Sequence, residues 1–326
     1  MIRGGSILSS VRRDNGLIMK KAIWVTGSSG FIGSWTMHSL VRKGIPVLGL
    51  DMLPRALWQD SGIKSVPTVV APCDFVSLSV TAERYGIPSA IIHCAGSGSV
   101  PFSFDDPRGD FLANVQTTME VLDFSRHHKS AIAIVLPSSA AVYGTAQGEP
   151  QKESGATGPI SPYGAHKLMA EGLCRSYGRH FGVSSAVIRF FSVYGAGLRK
   201  QLLWDACRKA RSGDFSFSGS GEERRDFLQV TDAAELLYIA LQKASADCPT
   251  VNGGTGIGTS VKEILQQIGR QWDPPQIPVF NGTTRNGDPT HYTADISAAR
   301  EWGFIPRRSL DESISEYLEW FKKDTA

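Results

Sequence analysis

The stretch that decides the fold is Gly27-Ser28-Ser29-Gly30-Phe31-Ile32-Gly33, which directly follows the apolar run 22–26. An apolar run that ends in a glycine-rich turn and opens a helical pattern is typical of a dinucleotide-binding unit. In such a turn the first glycine permits the tight bend, the second lets the backbone approach a pyrophosphate, and the third lets the helix pack closely. The helix N-terminus then offers unpaired N–H groups to the phosphates. This stretch therefore predicts a loop that binds the phosphates of a dinucleotide.

An aspartate at the end of the second predicted strand bears on the choice between NAD and NADP. Asp51 closes the next apolar run, 46–50, and lies 18 residues after Gly33. There it would accept hydrogen bonds from an adenosine ribose diol and would repel a 2′-phosphate. The sequence therefore predicts NAD as the cofactor in preference to NADP, although the nearby Arg55 weakens the exclusion of NADP.

Strand and helix patterns alternate over the first two-thirds of the chain. This alternation predicts an α/β fold, a Rossmann-type doubly wound parallel sheet with helices on both faces. After residue 191 the pattern loosens and predicts a smaller C-terminal substrate-binding lobe, some of whose segments return to the sheet. We expect residues 1–18 to be a disordered extension, 19–191 the NAD-binding domain and 192–326 mainly the substrate-binding lobe. The predicted strands are 22–26, 46–50, 69–73, 90–94, 131–136 and 185–191, and the longest predicted helices are 106–126 and 161–181.

Composition excludes several classes of protein. The 326 residues carry 34 Lys and Arg against 31 Asp and Glu, a net charge of +3, and the basic residues are scattered. A nucleic-acid footprint is therefore not expected. No apolar run reaches the roughly 18 residues of a membrane span, so no membrane partner is expected either. Five widely spaced cysteines without a Cys-x-x-Cys pair argue against disulfides and structural zinc and predict a cytoplasmic protein.

A second group of residues predicts acid–base chemistry. Tyr163 and Lys167 lie four residues apart on one predicted helix and so share a face, while Ser139 ends a predicted strand. An ammonium about 5 Å from a phenol would favour the phenolate by about 3 kcal/mol, or about two pKa units. Tyr163 would then take a proton from a substrate alcohol as hydride leaves the same carbon, and Ser139 would hydrogen-bond that alcohol.

These motifs carry a family resemblance. The glycine loop, Asp51, the stretches 93–96 and 138–144, the Tyr163/Lys167 pair and 189–195 occur in the order of extended short-chain dehydrogenases/reductases. The sequence most resembles the NAD-dependent epimerase/dehydratase branch, of which UDP-glucose 4-epimerase is the best-known type. The similarity continues through Asp110, Asn114, 225–232, 252–256 and 285–295, so it covers about residues 20–322.

The resemblance implies a role for each matching residue. The catalytic residues would be Ser139, Tyr163 and Lys167. The residues implied to bind NAD, besides Tyr163 and Lys167, are Gly27, Gly30, Phe31, Ile32, Asp51, Asp74, Phe75, Ala95 and Asn114. Those implied to bind a nucleotide-diphosphate sugar, besides Ser139, are Ser99, Ser192, Arg225 and Arg285. Arginine forks suit phosphate oxygens, which agrees with the last assignment.

Departures from the family pattern reduce the number of reactions that the protein could catalyse. Ala140 and Ala141 stand where 4,6-dehydratases carry an acid pair, so dehydration is disfavoured. The leading hypothesis is a nucleotide-sugar epimerase that oxidises the sugar transiently at its 4-position. The alternatives are an NAD(P)H-dependent 4-keto-6-deoxy nucleotide-sugar reductase and a catalytically silent dinucleotide sensor. Ser192 replaces the more common Asn, which leaves the identity of the sugar open.

The resemblance also implies a homodimer and a context in polysaccharide biosynthesis. The dimer would pack helices 106–126 and 161–181 as a four-helix bundle, with Met169, Leu173 and Tyr177 facing outward. No metal site is expected, because His127, His128 and His166 have no partners at ligand spacing. All three histidines are instead predicted to lie on a solvated helix face.

Overall fold

The computed structural model describes residues 21–54, 66–129, 132–145, 150–283 and 291–325. The predicted extension 1–18, Arg55 and the predicted phosphate ligand Arg285 lie outside these ranges. The strands are β1 Ile23–Thr26, β2 Val47–Asp51, β3 Thr68–Val70, β4 Ala90–His93, β5 Ala133–Ser139, β6 Ser185–Phe190, β7 Ser192–Tyr194, β8 Ser216–Phe217, β9 Arg224–Gln229, β10 Thr250–Gly253, β11 Gly258–Ser260, β12 Val279–Phe280 and β13 His291–Tyr292.

The helices alternate with the strands as expected for an α/β fold. They are α1 Phe31–Arg42, α2 Phe75–Tyr85, α3 Val100–Asp105, α4 Pro107–Phe111, α5 Thr117–His127, α6 Pro162–Phe181, α7 Gln201–Ser212, α8 Val230–Leu241, α9 Val261–Arg270, α10 Ser297–Glu301 and α11 Leu310–Asp324. A π-helical turn, Leu112–Gln116, joins α4 to α5, and a 3₁₀ turn, Ala140–Tyr143, follows β5. No helix within the described residues is long and apolar enough to cross a membrane.

A parallel sheet of seven described strands forms the centre of the molecule. Its order is β10-β6-β5-β4-β1-β2-β3, and every neighbouring pair is parallel. The chain runs outward from β1 to β3 and then crosses to β4 on the other side of β1. This reversal opens a crevice at the carboxyl ends of β1 and β4, which is where ligands bind in open parallel sheets.

Two apolar layers cover the sheet because successive strand residues face opposite sides. From β1, Ile23 and Val25 pack with α1 and α8, whereas Trp24 packs with α2, α5 and α6. The Trp24 indole stacks on Phe124 of α5 with ring centroids 5.9 Å apart. Both faces of the sheet are thus buried, which explains why its strands read as continuous apolar runs rather than as alternating ones.

The C-terminal part forms a smaller lobe with its own core. β9 pairs with β7, β11 and β13, while β8 pairs with β12. Helices α7, α9 and α11 bury Leu203, Ile264 and Phe321 beside Tyr194 and Phe227. β10 returns to the edge of the main sheet, where it pairs in parallel with β6.

The structure confirms the predicted α/β fold and corrects several boundaries. β3 ends at Val70 rather than at 73, and β5 continues to Ser139 rather than ending at 136. The helix predicted over 106–126 is interrupted by the π-turn. The Thr117 and Thr118 hydroxyls at the start of α5 donate to carbonyls of this turn, four residues earlier. Such turns often accompany functional sites.

Candidate active site

The glycine loop has the geometry that a phosphate site requires. Gly27 has a φ of 63°, and a Cβ there would lie 2.5 Å from the Ala95 nitrogen. A Cβ on Gly33 would lie 2.1 Å from the Gly27 oxygen, so a side chain at either position would force the loop open. α1 begins at Phe31 with no side-chain cap and no acidic residue in its first turn. The helix N-terminus is therefore available to an anion in the crevice.

Asp51 ends β2 beside this loop. Its carboxylate accepts hydrogen bonds from the Ser29 nitrogen at 2.9 Å and from the Leu53 nitrogen at 3.0 Å. These bonds hold the carboxylate at the carboxyl end of β2, next to the glycine loop. That is the position predicted for an acceptor of ribose hydroxyls.

The opposite wall of the crevice comes from the loop after β4 and from the π-turn. The Ala95 nitrogen donates to the Thr26 hydroxyl at 3.2 Å, which ties this loop to the end of β1. Asn114 is 2% exposed, and its amide nitrogen donates to the backbone and side chain of Asp110. Its Oδ1 has no partner within the described residues and lies 2.7 Å from where a Cβ of Gly96 would be. This orphaned acceptor favours a bound polar group in the crevice, because buried polar atoms are normally paired.

Asp74 and Phe75 lie at the start of α2, after β3. The Asp74 carboxylate caps the helix by accepting from the Ser77 nitrogen at 2.7 Å. The Phe75 nitrogen donates to Glu120, and its ring packs against Phe124 at 6.3 Å. Both residues thus have structural contacts, and their place near an adenine stays a prediction.

Ser139, Tyr163 and Lys167 come together at the carboxyl end of β5. Ser139 is the last residue of β5, Tyr163 lies in the first turn of α6, and Lys167 follows one turn later. The Ser139 hydroxyl accepts from the Ala141 nitrogen at 3.2 Å and lies close enough to Tyr163 to influence its pKa. Lys167 is 9% exposed, and its ammonium donates to the Pro137 oxygen at 3.1 Å and lies 5.9 Å from the centroid of the Tyr163 ring. The grouping predicted from sequence is present.

The electrostatics of this group differ from the sequence-based expectation. Burial raises the pKa of the Tyr163 hydroxyl, the nearby Ser139 hydroxyl opposes the rise, and the Asp110 carboxylate adds to it. Burial also lowers the pKa of Lys167 to about 8. The predicted lowering of the Tyr163 pKa by Lys167 is therefore wrong for the protein without ligand. Loss of water is the largest cause of the raised Tyr163 pKa, and the Lys167 ammonium donates to the Pro137 carbonyl.

A buried acid–histidine pair lies behind the catalytic group. Asp110 of α4 is fully buried, and its Oδ2 lies 2.6 Å from the His166 Nδ1. The His166 ring also meets Phe111 edge-on at 5.5 Å. The prediction of a solvated helix face for His166 is therefore wrong, because its side chain is only 12% exposed. No sequence signal links the two residues, which are 56 positions apart.

A buried ion pair supports the strand that carries Ser139. Glu171 of α6 accepts two hydrogen bonds from Arg189 of β6, at 3.0 and 2.8 Å, and one from the Ser138 hydroxyl at 2.7 Å. Glu171 is fully buried and Arg189 is 5% exposed. Since the bonds tie α6 to β5 and β6, they fix Ser139 and Tyr163 relative to each other. This network was not predicted.

The predicted sugar-nucleotide residues other than Ser139 do not all lie together in the part of the chain that the structure describes. Ser192 and Arg225 line one cavity of about 270 Å³ with Phe191, Tyr194, Gln201 and Phe227. Ser99 instead caps α3 by accepting from the Phe102 nitrogen at 3.3 Å. Arg285 is outside the described residues. Two of the predicted substrate residues therefore share a cavity.

Residues 23–253 match the NAD dependent epimerase/dehydratase family. The chain belongs to this family. The match includes the glycine loop, Asp51, Ser139, Tyr163 and Lys167, so the resemblance drawn from the motifs is confirmed. Among the described residues, no group of three or more His, Cys, Asp or Glu is arranged to hold a metal ion.

The similarity to individual relatives extends past residues 23–253 and covers nearly the whole chain. A UDP-glucose 4-epimerase of Mycolicibacterium smegmatis is 30% identical over 310 residues, which span 91% of this chain and 97% of that protein. The structure of a UDP-glucose 4-epimerase from Brucella ovis in complex with NAD is 30% identical with a TM-score of 0.82, covering 92% of this chain and 98% of that one. A UDP-glucose 4-epimerase structure with UDP-glucose from Thermotoga maritima is 25% identical with a TM-score of 0.83, covering 94% and 100%.

Proposed function

We propose that this protein is an NAD-dependent nucleotide-sugar epimerase that oxidises and re-reduces its substrate at the sugar 4-position. The observation that carries the proposal is the joining of Ser139, Tyr163 and Lys167 at the edge of a crevice that also holds the glycine loop. An acid–base group beside a dinucleotide site suits paired transfer of a proton and a hydride.

The residues of the crevice fit NAD. The N-terminus of α1 and the Gly27 bend would hold the pyrophosphate, and Asp51 would accept from the adenosine ribose. The unpaired Oδ1 of Asn114 would find a partner in the same crevice. When bound, NAD supplies a hydride acceptor and a positive charge. That charge would lower the raised pKa of Tyr163, which the protein alone does not do.

Residues of the protein accept the proton of the substrate 4-hydroxyl and later return it. Tyr163 takes the proton of the 4-hydroxyl, and Ser139 hydrogen-bonds the same oxygen as it becomes a carbonyl. The Lys167 ammonium stabilises the phenolate electrostatically while bonded to Pro137. Tyr163 returns the proton once hydride has come back to the other face of the 4-keto sugar. Ala140 and Ala141 offer no acid for loss of water, which disfavours a 4,6-dehydratase.

The substrate is a nucleotide-diphosphate sugar. Arg225 brings a guanidinium to the cavity that Ser192 also lines, which suits a diphosphate next to a hydroxyl-rich sugar. The relatives named above are UDP-glucose 4-epimerases, so we propose a UDP-hexose as the first substrate to test. Ser99 and Arg285 remain proposed substrate residues.

A homodimer is the proposed assembly, and we propose that it acts in the cytoplasm. Helices α3 to α6, with the π-turn, expose large apolar side chains that are 38–61% exposed, namely Phe104, Phe111, Leu112, Met119 and Met169. Leu173 and Tyr177, predicted to face outward, are partly buried and pack against the core beneath α6. The cysteines of the described chain are all unpaired thiols, which suits a reducing compartment. A monomer found by light scattering would contradict the proposed homodimer.

The deciding experiment identifies the dinucleotide that purified protein releases on denaturation. Stoichiometric NAD, together with interconversion of UDP-glucose and its 4-epimer without added cofactor, is the expected result. An empty protein that binds NADPH more tightly than NADH and reduces a 4-keto sugar would replace the epimerase with the ketosugar reductase. A protein without turnover that keeps its biological role in Tyr163→Phe would be a silent sensor.

A further inference from the structure

One segment lies between the dinucleotide crevice and the substrate cavity. Residues 195–201, here termed the strap, run from the end of β7 to the start of α7. Leu198 and Gln201 of the strap line the cavity with Ser192 and Arg225. The strap therefore borders both proposed ligands.

Two anchors fix the first half of the strap. The Trp35 indole nitrogen on α1 donates to the Ala196 oxygen at 2.8 Å. The Tyr317 hydroxyl on α11 donates to the Leu198 oxygen at 2.6 Å, and the Leu198 side chain is 4% exposed in the core of the smaller lobe. The strap is thus bonded to α1 on one side, and on the other its Leu198 packs into the core of the smaller lobe.

The third anchor lies across the crevice. The Lys200 ammonium donates to the Gly98 oxygen at 2.8 Å, in the loop that follows β4. α1 follows β1, and β1 and β4 are the neighbouring strands between which the sheet order reverses. Trp35 and Gly98 therefore hold the strap from opposite sides of the crevice in which a dinucleotide binds.

The third anchor differs from the other two in kind. The bonds to Ala196 and Leu198 come from partly or fully buried aromatic side chains, whereas Lys200 and Gly98 are exposed. An exposed single hydrogen bond from a long flexible side chain breaks more easily than a buried one. Opening at Lys200 would free the β4 side of the strap while its other anchors stay in place.

We propose that Lys200 latches the strap over the dinucleotide crevice and slows release of NAD. Lys200 is a positioning residue in this role, because it acts through the strap and takes no proton or hydride. The inference rests on the proposed binding of NAD and is independent of the identity of the sugar. A slow release suits an enzyme in which the same cofactor accepts and returns the hydride.

The test measures how fast bound cofactor leaves. Protein loaded with radiolabelled NAD⁺ is mixed with excess unlabelled NAD⁺, and the label that remains bound is followed over time. We expect Lys200→Met to release label about ten-fold faster than the natural protein. Lys200→Arg, whose guanidinium still donates to a carbonyl, is expected to restore slow release.

Arg199→Met is the matched control. Arg199 is the neighbouring strap residue, but its guanidinium pairs with Asp324 of α11 at 2.6 Å, away from the β4 loop. We expect it to leave the release rate unchanged. Trp35→Phe, which removes the anchor on the α1 side, should also speed release and provides a second route if Lys200→Met does not fold.

The outcomes separate the latch from the proposed function. Equal release rates in the natural protein, Lys200→Met and Trp35→Phe would overturn the latch while leaving NAD binding intact. Faster release in Arg199→Met as well would assign the effect to general loosening and also overturn it. A natural protein that binds no NAD would overturn both proposals. Unfolding midpoints of the unloaded variants should stay together, since the latch acts on release and not on folding.

Discussion

The Asp110 carboxylate lies 2.6 Å from the His166 imidazole. Burial raises the pKa of Tyr163 and lowers that of Lys167 to about 8, and the Asp110 charge adds to the first shift and opposes the second. The Asp110–His166 pair joins α4 to α6, the helix that carries the proposed catalytic residues Tyr163 and Lys167. A fully buried charge next to an acid–base group shifts the pKa values of that group. The charge of Asp110 can be removed by a single substitution.

Neutralising this charge should move the pH–rate profile. In Asp110→Asn the pKa values of Tyr163 and Lys167 are both expected to fall, so both limbs of the profile shift to lower pH. Loss of the charge-assisted bond to His166 should also cost about 1.5–3 kcal/mol of stability. Turnover measured across pH, with urea unfolding alongside, checks both effects.

His166→Gln is the control for that shift. It removes the imidazole but keeps the carboxylate, so neither limb should move to lower pH. A profile that stays in place in Asp110→Asn would show that the carboxylate does not set the protonation of the catalytic group.

Removing the phenol should abolish turnover and spare the fold. In Tyr163→Phe we expect the rate to fall by about 10²- to 10⁴-fold, the range for loss of a general acid–base, with the NAD content unchanged. Tyr177→Phe, on the same helix but packed against the core beneath α6, should keep its activity. A half-active Tyr163→Phe would assign the proton to another group.

The charge state of Lys167 should limit the rate at alkaline pH. Burial lowers the pKa of Lys167 to about 8, below its ordinary value, so the ammonium is present below about pH 8 and is lost above it. Turnover should therefore decline as the pH rises through this value. Lys167→Arg keeps its charge at all these pH values, and its profile, whatever its height, should lack that decline. A decline at the same pH in the arginine variant would point to a different titrating group.

Dinucleotide choice should depend on Asp51. Replacing it with Asn removes the charge that would repel a 2′-phosphate and weakens acceptance from the ribose. We expect NAD affinity to fall about ten-fold, equivalent to about 1.4 kcal/mol, and the preference for NAD over NADP to shrink. Calorimetric titration of unloaded protein with each dinucleotide measures both changes. An unchanged ratio of the two affinities would place the source of selectivity elsewhere.

The Glu171–Arg189 pair should carry much of the stability of the site. Glu171→Gln leaves the Arg189 guanidinium buried without its counter-charge, which typically costs about 3–5 kcal/mol. The matched control is Glu235→Gln, which breaks the partly exposed bond to Lys43 and should cost less than about 1 kcal/mol. Guanidinium unfolding of the two variants compares them, and similar losses would contradict the distinction drawn from burial.

Local features explain what could be predicted from the sequence. The order of strand, glycine turn and helix at 22–42 sets the start of the sheet, because each step depends on residues only a few positions apart. Tyr163 and Lys167 share a helix face for the same reason, and the apolar strands follow from a sheet buried on both sides. The short strands β7, β8 and β11–β13 were not predicted, since two or three residues are too few to show a period.

By itself, then, the sequence determined the parallel α/β fold and the glycine loop, and it predicted Asp51 as a ribose acceptor and Ser139, Tyr163 and Lys167 as the catalytic set. Only the tertiary structure decided the bond between Trp35 and Ala196, the pairing of Asp110 with His166, and the return of β10 to the sheet edge. These relationships join residues far apart in the chain, where no spacing rule applies. The tertiary structure also decided the direction of the Tyr163 pKa shift, because burial, which sequence spacing does not report, is its largest cause and raises it.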